Sequence, residues 1–477
     1  MAATILAPPL IHVIQSHNLE EDVMADSYYY DVTTWPIGNP HTDIGEVINS
    51  IITDVKARQT DADSNNEGKP GATIYIPSGD YHLTTQVLID ISYLRIVGAG
   101  HGFVSSSIRF NTPKEEWNNL HEIWPGGSRI LVDLPAINHG PEREGAAFVV
   151  SRKGNPRISS VEFANFCIDG LHFIDDGSGN NDPENTYING KTGIYITDAQ
   201  DSFRINGMGF IYLEHGIVIH DADALSIHDN FIAECGNCIE LRGSGQASKI
   251  TDNLIGAGYR GYSIFAENFG GLLITANNVF PRGASTVFFR NVSRSSITSN
   301  RFHAFYPGVI VLEGNCSENL IASNHIYRAC EPWPPMKRYN NGLDDLFGII
   351  RIEGNENSVI GNHISDIVDE INIRPEGTAP IIIRLVSGVG NYIANNHIVA
   401  NTEGNNHNEE TIEESCFSTQ VEAVLATAKT HSIPVVAVHI DSGSSRNTVL
   451  DSGTESQVYL DVTANAFRPT PSLPGIC

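Results

Sequence analysis

The sequence predicts an all-β chain wound as a parallel β-helix with a short N-terminal capping helix. Three observations carry that prediction. First, a phrase of aliphatic residue, two spacers, Asn, one spacer and a second apolar residue recurs at Asn230, Asn253, Asn277, Asn300, Asn324, Asn362 and Asn396, with Met208 in the Asn slot of an earlier copy. The steps from Met208 are 22, 23, 24, 23, 24, 38 and 34 residues, so the first five are single coils and the last two a coil plus an inserted loop. Second, another ladder runs in phase at Asn268, Asn291, Asn315 and Asn355, each after a β-rich run such as STVFFR or GVIVLEG. Third, the coils show period-2 strands separated by turns, with neither helical periodicity nor an LxxLxLxxN pattern, and a fixed period of this length then means a β-solenoid. Asn suits the turns because it tolerates the left-handed conformation and bonds neighbouring backbone.

From the N-terminus, residues 1 to about 28 read as a weakly ordered extension, with Met24 as an alternative start. The opening MAATILAPPLIHVIQSH has no basic segment and is broken by Pro8, Pro9 and His12, unlike a secretion signal, so a cytoplasmic protein is expected. DIGEVINSIITDVKARQ (43–59) has apolar residues at helix spacing and would cover the first coil, whose strand edges and core are otherwise open. GATIYIPSGDYHLTTQVLIDISYLRIVGAGHG (71–102) reads as strands broken by Pro-Ser-Gly and Gly-Ala-Gly turns, and resembles the opening of pectate-lyase-like β-helices. Residues 29–412 form one solenoid domain in this reading. Within it GIVIH (216–220), VIVL (309–312), GIIRI (348–352) and PIIIRL (380–385) are apolar at consecutive positions, so both faces want burial. A β-helix buries only one face internally; the other must lie under inserted loops or another subunit, and a homotrimer is the natural ring for three-faced prisms. Residues 413–477 read as a helix (413–431), a strand (PVVAVHI) and a polar tail folding back.

The chain of 477 residues has 29 Lys+Arg against 56 Asp+Glu, a formal charge of −27, and 41% hydrophobic residues. With 16 Tyr and 19 Phe, it can bury a large core. The negative field makes nucleic acid and polyuronates poor partners, while neutral sugars bind through hydrogen bonds and stacking and hardly feel it. No uninterrupted apolar run reaches membrane-span length. Cys167, Cys235, Cys238, Cys316, Cys330, Cys416 and Cys477 are too scattered for a disulfide scaffold and read as mostly reduced. HExxH, GxSxG, Walker A and EF-hand motifs are all absent, and His325, His363 and His397 repeat at one ladder slot, so they read as outward stacking residues rather than metal ligands.

The sharper chemical signal is IHDNFIAECGNCIELRG (227–243), with Asp229 and Glu240 in one coil. Alternation sends Ile239 and Leu241 inward and Glu240 outward, onto a surface where Val218 is its equivalent one coil earlier. A carboxylate on an apolar face needs a role or a partner: either burial raises its pKa toward that of a general acid, or Arg242 holds it in a structural ion pair. Two carboxylates in one coil are what glycosidic cleavage asks for. Asp198 and Asp221, one coil apart, and His220 beside the second are candidate sugar-binding groups. Trp117 and Trp124 in EEWNNLHEIWPGG are candidate stacking platforms.

The segments YDVTTWPIGNP (30–40), RQTDADSNNEGKPGATIYIPSGDYHLTTQV (58–87), GHGFVSSSIRFN (100–111), LHEIWPGGSRI (120–130) and DNFIAECGNCIEL (229–241) closely resemble the inulin fructotransferase family, over nearly the whole chain. That family comprises inulin fructotransferases, which release difructose dianhydrides from inulin, and difructose dianhydride III hydrolases, which open that cyclic disaccharide to inulobiose. The resemblance implies a right-handed parallel β-helix, a trimer with active sites at subunit interfaces, and no cofactor. It places the catalytic pair on Asp229 and Glu240, with Glu240 as general acid/base and Asp229 orienting the sugar and stabilising positive charge at the anomeric carbon. The motif serves both activities. The N-terminus favours the hydrolase, with the transferase as alternative; a calcium-dependent polyuronate lyase and a non-catalytic sugar-binding spike share the fold class.

Overall fold

The computed structural model describes residues 28–60, 71–102, 119, 126–135, 142–170, 189–257, 261–280, 285–328, 343–368, 378–402, 431–432, 435–452, 458–462 and 466–467. Three sheets of 14, 12 and 12 strands run along the chain. One coil shows the plan. Ser226–His228 joins the 14-stranded sheet A, Phe231–Cys235 joins sheet B, Asn237–Arg242 joins sheet C, and Ser248–Thr251 returns to sheet A one level on. Pairing is parallel throughout this region, and equivalent residues stack: Ile205 on Ile227, Ile227 on Ile250, Ile250 on Ile274. All four are buried, forming one of the aliphatic columns that fill the interior. The expected parallel β-helix is thus present.

The first asparagine ladder lines the corner between sheets A and B, inside the coil. Asn277 Nδ2 donates to Ile250 O at 2.9 Å and to Asn300 Oδ1 at 3.0 Å, and the Asn277 backbone N–H donates to that same oxygen at 3.0 Å. The pattern repeats from Asn230 to Asn396, all buried. One detail differs from expectation: the left-handed residue is the one before each Asn, namely Asp229, Asp252, Ala276 and Ser299, with φ between 57° and 59°. The asparagine stays inward, where its amide can satisfy backbone groups that water cannot reach. The second expected ladder is exposed, and there Asn268 and Asn291 do take φ 54°. A third ladder was not anticipated. Asn319, Asn357, Asn391 and Asn447 stack at the corner between sheets C and A, bonded amide to amide at 3.0–3.1 Å. Its earlier slots hold Ser248, Leu272 and Ser295, so no single residue type marks it.

Helix α1, Pro40–Thr60, covers the first coil, as expected. Asp43 is not helical (φ −152°, ψ 92°), and its Oδ1 accepts from Gly45 N–H at 3.0 Å, which is N-cap geometry. Ile44, Val47, Ile48, Ile51 and Val55 are fully buried on one face. At the other end the expected helix 413–431 lies almost wholly outside the described residues. Val435–Ser445 and Val458–Val462 pair in parallel onto sheet C, and Asn447–Leu450 onto sheet A. This stretch therefore continues the solenoid, because its apolar strands find the free edge of the last coil, where a tail folding back was expected. Cys167, Cys235, Cys238 and Cys316 are buried. No described helix is long and apolar enough to cross a membrane.

The ladder makes a stability prediction. Asn300→Ala removes an amide that serves Ile274 O, Asn324 and Asn277, and should cost about 3 kcal/mol by leaving buried groups unpaired. Asn291→Ala, on the exposed ladder, should cost less than about 1 kcal/mol. Urea midpoints of the two variants against the parent check the difference.

Candidate active site

The outer face of sheet C carries a column in register: Tyr195, Val218, Glu240, Phe265, Phe288, Val311. Val218, Phe265, Phe288 and Val311 are buried within the single chain, so this outer face is covered, as its continuous hydrophobicity demanded. Glu240 is the charged member among them, and its side chain is 1% exposed. Alternation along Cys238–Arg242 puts it there, since Ile239 and Leu241 fill the interior.

Each oxygen of this carboxylate is held. Oε1 lies 2.5 Å from His215 Nδ1 and accepts from Asn237 Nδ2 at 2.9 Å. Oε2 accepts from Arg242 Nε at 3.1 Å and from Arg242 Nη2. Glu142 stands 4.0 Å from the same guanidinium. Burial by itself pushes the Glu240 carboxyl up, but His215 and Arg242 outweigh it and pull the pKa down to about 2. Of the two alternatives that the sequence left open, a pKa raised by burial or an ion pair with Arg242, the second is present, and two cationic partners stabilise the charged form more than desolvation penalises it. His215 moves the opposite way. Burial lowers its pKa, yet the Glu240 hydrogen bond and charge raise it above 6.5.

Asp229 sits elsewhere. It occupies the left-handed corner between sheets A and B, its side chain is 68% exposed, and its Oδ2 lies 2.8 Å from His228 Nδ1. The five-residue strand Phe231–Cys235 separates it from the strand of Glu240, which at about 3.3 Å per residue is on the order of 15 Å. The two carboxylates share a coil but not, within one chain, a site. A groove of about 930 Å³ lies on the outer face of sheet A, lined by residues including His228, Glu162, Arg204, Asn206 and Lys249. Asp229 follows His228 at its edge.

The other expected residues divide. Arg242 joins Glu240 directly. His220 is in register with Arg242, its ring 5.5 Å from that of Tyr195, and its Nε2 is buried without a hydrogen-bond partner; burial and Arg242 lower its pKa. Asp198 and Asp221 follow the strands of sheet C in left-handed turns, Asp198 bonded to Ser151 Oγ and Asp221 Oδ1 accepting Ser244 N–H at 2.9 Å. Both hold turns, because a short carboxylate at positive φ reaches neighbouring backbone and hydroxyl donors. Trp117 and Trp124 lie outside the described residues. His325, His363 and His397 stack with centroids 5.1 and 4.8 Å apart, and no cluster of three or more metal-binding side chains occurs among the described residues. His215, Asn237 and Glu142 escaped the sequence reading; the first two are in register with each other across the coils, which the 22-residue spacing makes visible once the strand phase is known.

The Glu240 shift has a sign that acid unfolding can test. A carboxyl depressed from 4.5 to about 2 contributes stability that is present above pH 4.5 and lost as pH falls toward 2. Glu240→Gln should lose less stability than the parent across that window; parallel curves from pH 5 to pH 2 would contradict the ion pairing.

A family profile described as the β-helix repeat of inulin fructotransferase matches residues 323–471, and a rhamnogalacturonase A/epimerase, pectate-lyase-like profile matches 37–240. The inulin fructotransferase (DFA-I-forming) of Arthrobacter globiformis is 45% identical over 378 residues, 78% of this chain and 89% of that protein. The DFA-IIIase of Arthrobacter chlorophenolicus A6, solved in complex with DFA-III, is 64% identical with a TM-score of 0.83, covering 94% of this chain and 99% of that one. The same enzyme in complex with GF2 is 63% identical, covering 94% and 100%, again at 0.83. The A-module of a mannuronan C-5 epimerase from Azotobacter vinelandii, at 12% identity and TM-score 0.52, shares the fold alone. With a solenoid of the same build and close identity along most of its length, this chain belongs to the family of inulin fructotransferases and DFA-IIIases.

Proposed function

We propose that this chain is a hydrolase that opens difructose dianhydride III to inulobiose. The observation that carries the reading is Glu240: a buried carboxylate held at both oxygens on an outer face, in a chain 64% identical to a DFA-IIIase crystallised with DFA-III. In this reading Glu240 works at the scissile C2–O bond as general acid/base. Its ionised resting state suits the base half, in which the attacking water gives up a proton. Asp229 orients the fructose ring and stabilises positive charge at C2 as the leaving oxygen departs.

The separation of Asp229 and Glu240 within one chain favours a site built from two subunits, with the sheet A groove and Asp229 of one facing the Glu240 surface of its neighbour. A homotrimer satisfies this with three equivalent sites. The unpaired Nε2 of His220 is available for a sugar hydroxyl beside Arg242. The formal charge of −27 is compatible with a neutral disaccharide, which exerts no long-range repulsion.

The second reading is an inulin fructotransferase, favoured by the 45% identity to the DFA-I-forming enzyme. There a fructose hydroxyl replaces water as the attacking group, and the same two carboxylates serve.

Chromatography of products from difructose dianhydride III and from inulin, incubated separately, decides between them. Inulobiose from the dianhydride supports hydrolysis; dianhydride accumulating from inulin supports the transferase; no turnover of either removes both. Glu240→Gln should lower kcat at least about 1,000-fold, and Asp229→Asn about 100-fold or more, with smaller changes in KM.

A further inference from the structure

We propose that His215 is the positioning residue that holds the proton delivered through Glu240, so that the acid of this site is a histidine–glutamate pair rather than a lone carboxylic acid. The inference rests on the proposed glycosidic chemistry at Glu240 and adds the residue that makes its acid half workable. A carboxyl pulled down to about 2 is a poor proton store at neutral pH, and the leaving oxygen of a glycoside needs a proton. The geometry supplies one 2.5 Å away, on Nδ1 of His215.

The surroundings keep that proton on the imidazole. His215 opens the sheet C strand His215–His220, and its side chain is 16% exposed. From the adjoining strand it meets Glu240 and Asn237; on its other edge Glu214 Oε1 lies 3.9 Å from Nε2. Glu214 is fixed by Gly190 N–H, which donates to its Oε2 at 2.7 Å. Glu142, from the segment leading into Ala146–Val150, adds negative field, while Arg242 lies beyond Glu240. On the preceding coil Lys191 directs its ammonium away, to Gly170 O at 2.7 Å. The groups facing His215 therefore alternate in sign along a row: Glu214, His215, Glu240, Arg242, Glu142. Asn237 locks Oε1 in place, so the carboxylate cannot swing off the imidazole.

The step balances without a further reagent. As the C2–O bond breaks, the His215 proton moves to the Glu240 carboxylate along the 2.5 Å contact and from Glu240 on to the leaving oxygen, which leaves Glu240 ionised and the imidazole neutral. Water then adds to C2, its proton returns to Glu240, and the pair relaxes to carboxylate and imidazolium. The net change is one glycosidic bond and one water converted to two hydroxyls.

The sign of the pH dependence follows. Activity that needs the proton of the pair persists below the raised pKa of His215, above 6.5, and falls as pH rises through it. In His215→Asn the amide keeps a hydrogen-bond donor toward Glu240 but stores no proton, so Glu240 alone carries the alkaline limb. That limb should move acidward by about two pH units, the gap between ordinary imidazole and carboxylate values, with kcat at neutral pH down at least 100-fold. An unchanged limb in His215→Asn, whatever the rate, would overturn the proposal and leave His215 a structural hydrogen-bond donor. Ring nitrogen NMR of His215, in the parent and in Glu240→Gln, reads the proton without any substrate. The proposal expects an imidazolium titrating above pH 6.5 in the parent and below it in the variant. Equal titration in both would overturn it, even if the protein turned out to act on a different sugar.

Discussion

Every coil of this solenoid pairs only with the coil above and the coil below, and that parallel registry is the constraint on which the rest depends. Because each level repeats its side-chain positions, one residue choice is multiplied along the axis. Isoleucines become columns and asparagines become continuous amide ladders at the corners. The inward ladder satisfies backbone groups of successive turns, which the dry interior would otherwise leave unpaired. The same registry fixes the site. Val218 below and Phe265 above Glu240 give the carboxylate an apolar bed, and the adjoining coil delivers His215 to the same level of the face.

That apolar bed shapes the electrostatics. Desolvation makes an isolated carboxylate at this position costly, yet it also strengthens each ion pair, since little water screens it. With His215 and Arg242 both present, attraction wins and Glu240 stays ionised. Loss of either cation would raise the Glu240 pKa from that depressed value. The exposed pairs on the solenoid surface, such as Arg294 with Glu318, by contrast contribute little.

Much of the fold was legible because the period is a property of sequence alone. The asparagine phrase located the coils, α1 showed helical spacing, and outward placement of Glu240 followed from alternation with Ile239 and Leu241. What escaped depends on neighbours across coils. The Asn319–Asn447 ladder changes residue type partway, with serine and leucine in earlier slots. Only half of the Glu240 shift was visible in its own strand, where Arg242 stands, because His215 belongs to the coil before. Asp198 and Asp221, read as candidate sugar-binding groups, also bond to groups of neighbouring coils from left-handed turns, which only the corner geometry reveals. The separation of Asp229 from Glu240 likewise appears only when the corner and the intervening strand are placed in space.

The most direct measurement is a crystal structure of the Glu240→Gln protein soaked with difructose dianhydride III. The expected result places the bridging oxygen on C2 within hydrogen-bond distance of the residue 240 carboxamide, with Asp229 of an adjacent subunit against the same fructose ring and His215 still bonded to the carboxamide oxygen. A sugar bound away from residue 240, or one gripped by Asp229 with no neighbouring subunit over it, would contradict the assignment of Glu240 as the group at the scissile bond.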